Sequence, residues 1–285
     1  MSKQYRKCQT DIVLSIARRR NIFYNEGKEV TDMNFAGKTA VSTGAASGMG
    51  LLFAQNFADL CGNVVLCDVN EEVLNEKVSE INAKGKGHAI GIRCDVRNYA
   101  QVCAAVEKAA EVFGSIDVMA NFAGGAAIRM QKVDKEQYPE FPDVPIEVYD
   151  WGLDVNLKGP FYFAHAVLRQ MRKQNSGLII NIGSIAGMEG DQYSMEYPTA
   201  KAGLMFGLTK SIAQFGSKYN IRCVCVSPGP VLTRENMANM RTLLGRAADP
   251  QEIIDLCLFI ASEKGQFING ENIMIDGGRN AFNRG

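Results

Sequence analysis

The residues best suited to chemistry are Ser184, Tyr197 and Lys201, in the stretch SIAGMEGDQYSMEYPTAK. Tyr197 and Lys201 stand one helical turn apart, so both side chains leave a helix on the same face. A phenol titrates near ~10 and alone is a poor acid–base group at neutral pH. A cation held beside it favours the phenolate. A serine hydroxyl brought near by the fold would hold a substrate oxygen against the phenol. Such a set protonates a ketone oxygen, or deprotonates an alcohol, while a hydride moves at carbon. A solvated helix face also reads Tyr-x-x-x-Lys, so the rest of the chain must supply the scaffold and the hydride carrier.

From Phe35 onward the pattern alternates strand and helix. KTAVST, NVVLCD, HAIGIRC, IDVMANF, GLIINIG, IRCVCVS and NIMIDG are short, apolar and rich in Val and Ile. They read as strands buried on both faces. Helical patterns separate them, at about 48–61, 70–84, 98–113, 145–174, 192–218 and 249–262. Asn98 with Gln101 opens one helix and Gly114 closes it. Asp249-Pro250-x-Glu252 opens the last. The rhythm predicts one α/β domain, a Rossmann-like, doubly wound, mostly parallel sheet flanked by helices.

The first strand runs into TGAASGMG, with Gly44, Gly48 and Gly50. Glycines there let the backbone turn tightly and approach a pyrophosphate at the N-terminus of the next helix. Asp68 closes the second strand. An acid at that place accepts ribose hydroxyls of NAD and repels the 2′-phosphate of NADP. Ser47, before the second glycine, is no base that would welcome that phosphate. Asp95 ends the third strand, where it would meet the adenine edge.

The 285 residues suit one large domain. Acids and bases balance at 31 each, so no global field points to nucleic acid or a membrane surface. No apolar run reaches the ~18 residues of a membrane span. The eight cysteines contain no C-x-x-C pair, and the two histidines, His88 and His165, sit in strand and helix patterns. No zinc or other metal site is expected. Cys223 and Cys225 share a strand face as small core hydrophobes. Reduced thiols and no export signal predict a cytoplasmic protein. Residues 1–34 form a separate extension, basic up to residue 25, where Lys3, Arg6, Lys7, Arg18, Arg19 and Arg20 stand against Asp11. Within it 11–20 reads as a short helix, expected as an ordered arm near the adenosine end; a mitochondrial transit peptide is the alternative.

In order and spacing these features resemble the short-chain dehydrogenases/reductases, over about residues 35–278. TGAASGMG looks like that family's TGxxxGxG, here placing Ser47 and Met49 in the loop. Asp68 matches its NAD-selecting acid, and Asp95-Val96 its adenine contact. Asn121-Phe122-Ala123-Gly124 resembles its NNAG, with Phe at the second Asn. That departure puts in doubt a second amide tying neighbouring strands. Asn156 in VNLKGPF, Ser184 in NIGSIAG and Tyr197 to Lys201 match its catalytic Asn, Ser and YxxxK. SPGPVLT resembles its nicotinamide-side motif, carrying Pro228, Gly229, Val231 and Thr233.

The resemblance implies a seven-stranded sheet of order 3-2-1-4-5-6-7 in residues 35–285. It implies NAD(H)-dependent interconversion of a ketone and a secondary alcohol through Asn156, Ser184, Tyr197 and Lys201. Tyr197 would be the general acid/base, and Lys201 would favour its phenolate and hold the nicotinamide ribose. Ser184 would position the reacting oxygen, and Asn156 would hold a relay water. Helices 145–174 and 192–218 form dimer faces in this family, so a homodimer or homotetramer is expected.

Residues 125–146 and RENMANMRTLLGR after Thr233 should line the substrate side. Met237, Met240 and Leu243, with Met188, Tyr193 and Met195, would make an apolar face suited to a lipophilic ketone. The basic extension resembles that of bacterial 20β-hydroxysteroid dehydrogenases, implying a steroid side-chain ketone. The alternatives are a polyol, sugar or 3-oxoacyl reductase, and a non-catalytic NAD-sensing regulator, which would usually lack the Tyr or Lys.

Overall fold

A computed structural model describes residues 33–281. The 11–20 helix and most of the basic extension lie outside the described residues. Within them, seven strands carry the sheet: β1 (Thr39–Thr43), β2 (Asn63–Asp68), β3 (Ala89–Arg93), β4 (Val118–Asn121), β5 (Gly177–Ile182), β6 (Ile221–Pro228) and β7 (Asn272–Ile275). Their order is β3-β2-β1-β4-β5-β6-β7 and every pairing is parallel, as expected from the sequence. β1 pairs with β2 on one side and β4 on the other. The order therefore reverses at the C-terminal end of β1, which is where open α/β sheets bind ligands.

On one face of the sheet, α1 (Gly48–Asp59), α2 (Glu71–Ala83) and α10 (Pro250–Ala261) pack over Val64, Leu66, Ala120, Ile180 and Val224. Phe53 and Phe57 of α1 are fully buried there, each worth about 1.5–3 kcal/mol by burial. That seat fixes the helix behind the glycine loop. On the other face, α3 (Tyr99–Phe113) and α6 (Gly159–Gln174) pack over Val41, Val65, Met119 and Ile179. Caps sit where the sequence puts them. Asn98 accepts from the Gln101 N–H at 3.2 Å, Gly114 closes α3 at φ +79, and Asp249 and Glu252 form a capping box.

The two long helices differ from the sequence expectation. The first runs as α5 (Ile146–Leu153), a π turn (Asp154–Lys158), then α6. The second starts at Glu196 rather than 192, as α8 (Glu196–Ala202), a π turn (Gly203–Leu208), then α9 (Thr209–Gly216). Asn156 lies inside one π turn and Lys201 stands two residues before the other. The two widened turns meet: a Cβ on Gly203 would stand 3.2 Å from Leu157 Cδ1. Hydrophobic periodicity cannot register one extra residue per turn, and such bulges favour functional sites.

The insertion holds a short turn of helix, α4 (Ala127–Met130), and a core of its own from Ile128, Val144 and Tyr149. Tyr193 belongs to that core rather than to an apolar substrate face. Its hydroxyl donates to the Tyr138 carbonyl, and its own carbonyl accepts from Tyr149 Oη at 3.0 Å.

Candidate active site

The glycine loop follows β1. Gly44 takes φ +62 and lies against Ala123, whose Cα would be 3.0 Å from an added Cβ. Gly50 has a steric reason instead: a Cβ there would meet the Gly44 carbonyl at 2.5 Å. Ser47 offers α1 no side-chain cap, and α1 has no acid in its first turn. Its N-terminal N–H groups and positive dipole end are therefore open to an anion. Ser47 and Gly48 are exposed and Met49 half-buried, bordering that opening.

Asp68 does more than close β2. Its Oδ2 accepts from the Ala46 N–H at 3.1 Å and its Oδ1 from the Asn70 N–H at 3.0 Å. The acid thus shapes the glycine loop. The Asp95 carboxylate is held by Arg97 at 2.6 Å, which keeps it below the usual carboxylate range. Val96 is buried beside it, against the place a Gly159 Cβ would fill.

Phe122 leaves the strand tie intact, because Asn121 makes it. Its Nδ2 donates to Asn181 Oδ1 at 2.9 Å across β4–β5, and Asn181 Nδ2 donates to Thr209 Oγ1 at 3.0 Å. Phe122 packs on Phe53, ring centroids 5.4 Å apart. The Ala123 N–H donates to Thr43 Oγ1 at 3.0 Å.

Beyond β4, Asn156, Tyr197 and Lys201 converge, and Lys201 reaches the Ile182 carbonyl at the start of the loop that carries Ser184. A Cβ on Gly124 would stand 2.6 Å from Asn156 Oδ1 and 3.4 Å from Lys201 Nζ. Glycine alone lets those groups approach. Three hydrogen bonds occupy the Asn156 amide: Nδ2 donates to the Gly125 and Gly152 carbonyls at 2.9 and 2.8 Å, and Oδ1 accepts from the Gly125 N–H at 2.9 Å. Lys201 is 4% exposed. It donates to the Ile182 carbonyl at 2.7 Å and stands 5.5 Å from the Tyr197 ring centroid. An ammonium has three donors, so two remain for ligands. Ser184 is half-buried, its Oγ accepting from the Ala186 N–H at 3.1 Å. The Ile185 N–H donates to the Pro228 carbonyl at 2.8 Å, tying the Ser184 loop to the end of β6. There a Cβ on Gly229 would strike Asp276, Val231 bridges to Ala248, and Thr233 is exposed.

Three side chains of the cleft escaped sequence reasoning. Glu196, beside Tyr197, is 4% exposed. Its Oε1 accepts from the Ala127 N–H at 2.9 Å, while Oε2 has no hydrogen-bond partner. Burial outweighs the backbone donors and raises its carboxyl. Tyr149, buried and facing Glu196, is pushed up to about 12. Arg129 on α4 is the third; the residue is exposed, yet partial desolvation of its guanidinium, then the charge of Arg234, lowers it, and Tyr197 acts the other way. An Arg in a single four-residue turn of helix carries no periodic signal, and a Glu preceding a Tyr reads as ordinary flanking charge.

Among the described residues no group of three or more His, Cys, Asp or Glu could hold a metal. No described helix is long and apolar enough to cross a membrane.

A parallel sheet with a glycine-lined, uncapped helix N-terminus at its switch point fits a dinucleotide. Beside it, a Tyr–Lys pair one turn apart fits proton exchange with a CH–OH group. Together they define a nicotinamide-dependent oxidoreductase. Comparison with known proteins agrees. Residues 44–280 match a family model described as Enoyl-(Acyl carrier protein) reductase. The chain is 37% identical over 257 residues to a trans-4-hydroxycyclohexanecarboxylate dehydrogenase of Sinomonas cyclohexanicum, covering 87% of this chain and 95% of the relative. It is 34% identical over 265 residues to a 3-oxoacyl-(acyl-carrier-protein) reductase of Thermotoga maritima, covering 86% and 99%. It is 30% identical over 257 residues to an NAD-dependent glycerol dehydrogenase of Listeria innocua, covering 87% and 95%. The chain belongs to the short-chain dehydrogenase/reductase family.

Proposed function

We propose that this enzyme uses NAD(H) to interconvert a lipophilic ketone and its secondary alcohol, with a steroid side-chain ketone as substrate. The observation that carries the substrate reading is an apolar set left exposed on or beside the segments expected from the sequence to line the substrate side. It comprises Met130, Met188, Met195, Leu232, Leu243 and Leu244. Methionines adapt to a bulky apolar ligand, and exposed apolar surface at a cleft marks a binding face. A sugar or polyol would leave it wet.

Tyr197 gives its proton to the carbonyl oxygen, or takes it from the alcohol. Lys201 stabilises the phenolate and would hold the nicotinamide ribose. Ser184 donates to the same substrate oxygen. With the Asn156 amide spent on Gly125 and Gly152, the main-chain carbonyl of Asn156 holds any relay water. The bound nicotinamide supplies or accepts the hydride. The loop of Gly44, Gly48 and Gly50 and the N-terminus of α1 would hold its pyrophosphate, Asp68 the adenosine ribose and Thr233 the carboxamide.

Phe161, Phe206 and Phe215, exposed on or beside α6 and α9, support assembly through those helices into a homodimer or homotetramer. The hydroxycyclohexanecarboxylate relative supports a cyclic substrate. The glycerol and 3-oxoacyl relatives favour the runner-up, a polyol or acyl-thioester reductase. Oxidation of NADH is followed against steroid ketones, sugars and acyl-thioesters, with NADPH in parallel. Turnover of thioesters or polyols with no steroid turnover rejects the steroid reading.

A further inference from the structure

The segment from Gly124 to Arg129 is fastened to the catalytic machinery twice. Asn156 binds both the N–H and the carbonyl of Gly125, and Glu196 accepts from the Ala127 N–H. On this support the Arg129 side chain folds back. Its Nη2 lies 2.6 Å from where a Cβ of Gly125 would stand. Its head therefore fills the space beside the peptide that Asn156 clamps, next to Gly124, against which Asn156 Oδ1 and Lys201 Nζ stand. Negative charge on Tyr197 favours the Arg129 cation; Arg234 opposes it from the segment after Thr233.

Among the described residues no carboxylate pairs with either arginine. Arg234 Nη2 meets only the Met237 sulfur, at 3.5 Å. Both side chains are exposed, so their cationic heads are open to a ligand oxygen. A guanidinium offers that oxygen a planar fork of donors. Met130 Sδ stands 3.1 Å from the same Gly125 position, so apolar surface flanks the guanidinium.

Building on the proposed ketone reduction, we propose that Arg129 determines specificity. It donates to a second substrate oxygen on the carbon next to the reacting carbonyl. An α-hydroxyketone and an α-keto acid share that chemistry.

The test uses matched ketones that differ only at that carbon: plain methyl, hydroxymethyl and carboxylate. Wild type, Arg129→Met and Arg129→Lys are compared by kcat/KM, with the KM for NADH measured alongside. The wild type should prefer an oxygenated member by roughly 10–100-fold, the range of a charge-assisted hydrogen bond. Arg129→Met should erase the ratio, and Arg129→Lys should restore part of it. The hydroxyl and carboxylate arms tell the two sources of the oxygen apart. An unchanged ratio in Arg129→Met overturns the proposal. So does a raised KM for NADH with the ratio intact, which would assign the guanidinium to cofactor phosphate. If Arg129→Met does not fold, Arg129→Lys and inhibition of wild type by α-hydroxy acids against plain alcohols decide it; equal inhibition counts against it. Arg129-dependent turnover of small hydroxyketones with no steroid turnover supports this inference while rejecting the steroid substrate. Steroid turnover without the ratio does the reverse.

Discussion

Replacing Glu196 tests how α8 is joined to the substrate segment. Oε1 is the acceptor for the buried Ala127 N–H. Glu196→Ala leaves that donor unpaired, a cost of about 1–3 kcal/mol, before any cavity cost. Glu196→Gln keeps an acceptor and nearly the same volume, so most of that stability should return. The two variants also separate packing from ionisation. Burial raises the Glu196 carboxyl against the pull of the Ala127, Glu196 and Tyr197 N–H groups. The folded protein therefore holds this proton more tightly than the unfolded chain. Above the ordinary Glu value of ~4.3, the unfolded chain ionises first and the folded state carries more protons. Stability from this group then falls as pH rises to the folded value and is level beyond it. Glu196→Gln cannot ionise and lacks that decline. Urea midpoints from about pH 4.5 to 8 measure it: wild type should lose stability relative to Glu196→Gln as pH rises. Parallel curves would refute a buried, raised carboxyl.

Three further substitutions probe the remaining parts. Tyr197→Phe should lower kcat by about 10²–10⁴-fold, the usual worth of an acid–base group, with the Kd for NADH little changed; near-normal turnover rejects the proton role. Asp68→Asn keeps an acceptor for the Ala46 N–H but removes the charge. The NADH over NADPH preference in kcat/KM should then fall about tenfold or more, and an unchanged preference removes Asp68 from cofactor choice. Asn121→Leu strips the partner from the Asn181 amide oxygen in a buried network, so urea unfolding should show a loss of about 1–3 kcal/mol. No loss would mean the β4–β5 tie carries no weight.

What could be read from the chain beforehand is what one segment encodes by itself. The strands are runs of Val and Ile, the caps are Asn98 and Asp249 at fixed offsets, and the glycine loop is a spacing between β1 and α1. Tyr197 and Lys201 lie on one turn, so their pairing needs no tertiary knowledge. The strand tie illustrates the limit. Phe122 in place of an amide suggests a lost connection, yet Asn121 reaches Asn181 because the β4–β5 register places those residues side by side. Register is a property of two strands and is written in neither.

The same limit governs Asn156, the residue that the family resemblance supplied and spacing did not. Its side chain serves as a clamp: three hydrogen bonds hold Gly125 and Gly152, and those fix α4 relative to α5. That occupies both donors of the amide and one of the two acceptor sites of its oxygen. The main-chain carbonyl is different. In an α-helix its donor would be the N–H four residues on, and that residue is Pro160, which has none. The helix widens to a π turn over Asp154–Lys158 at this point. The proline thus denies the Asn156 carbonyl its α-helical partner on the helix that borders Lys201. The VNLKGPF stretch thus combines an amide that builds the cleft with a carbonyl that lacks its α-helical donor. Replacing Pro160 by Ala supplies the missing N–H. The proton step should slow without loss of cofactor affinity, and a solvent isotope effect on kcat identical to wild type would count against the carbonyl as the relay's anchor.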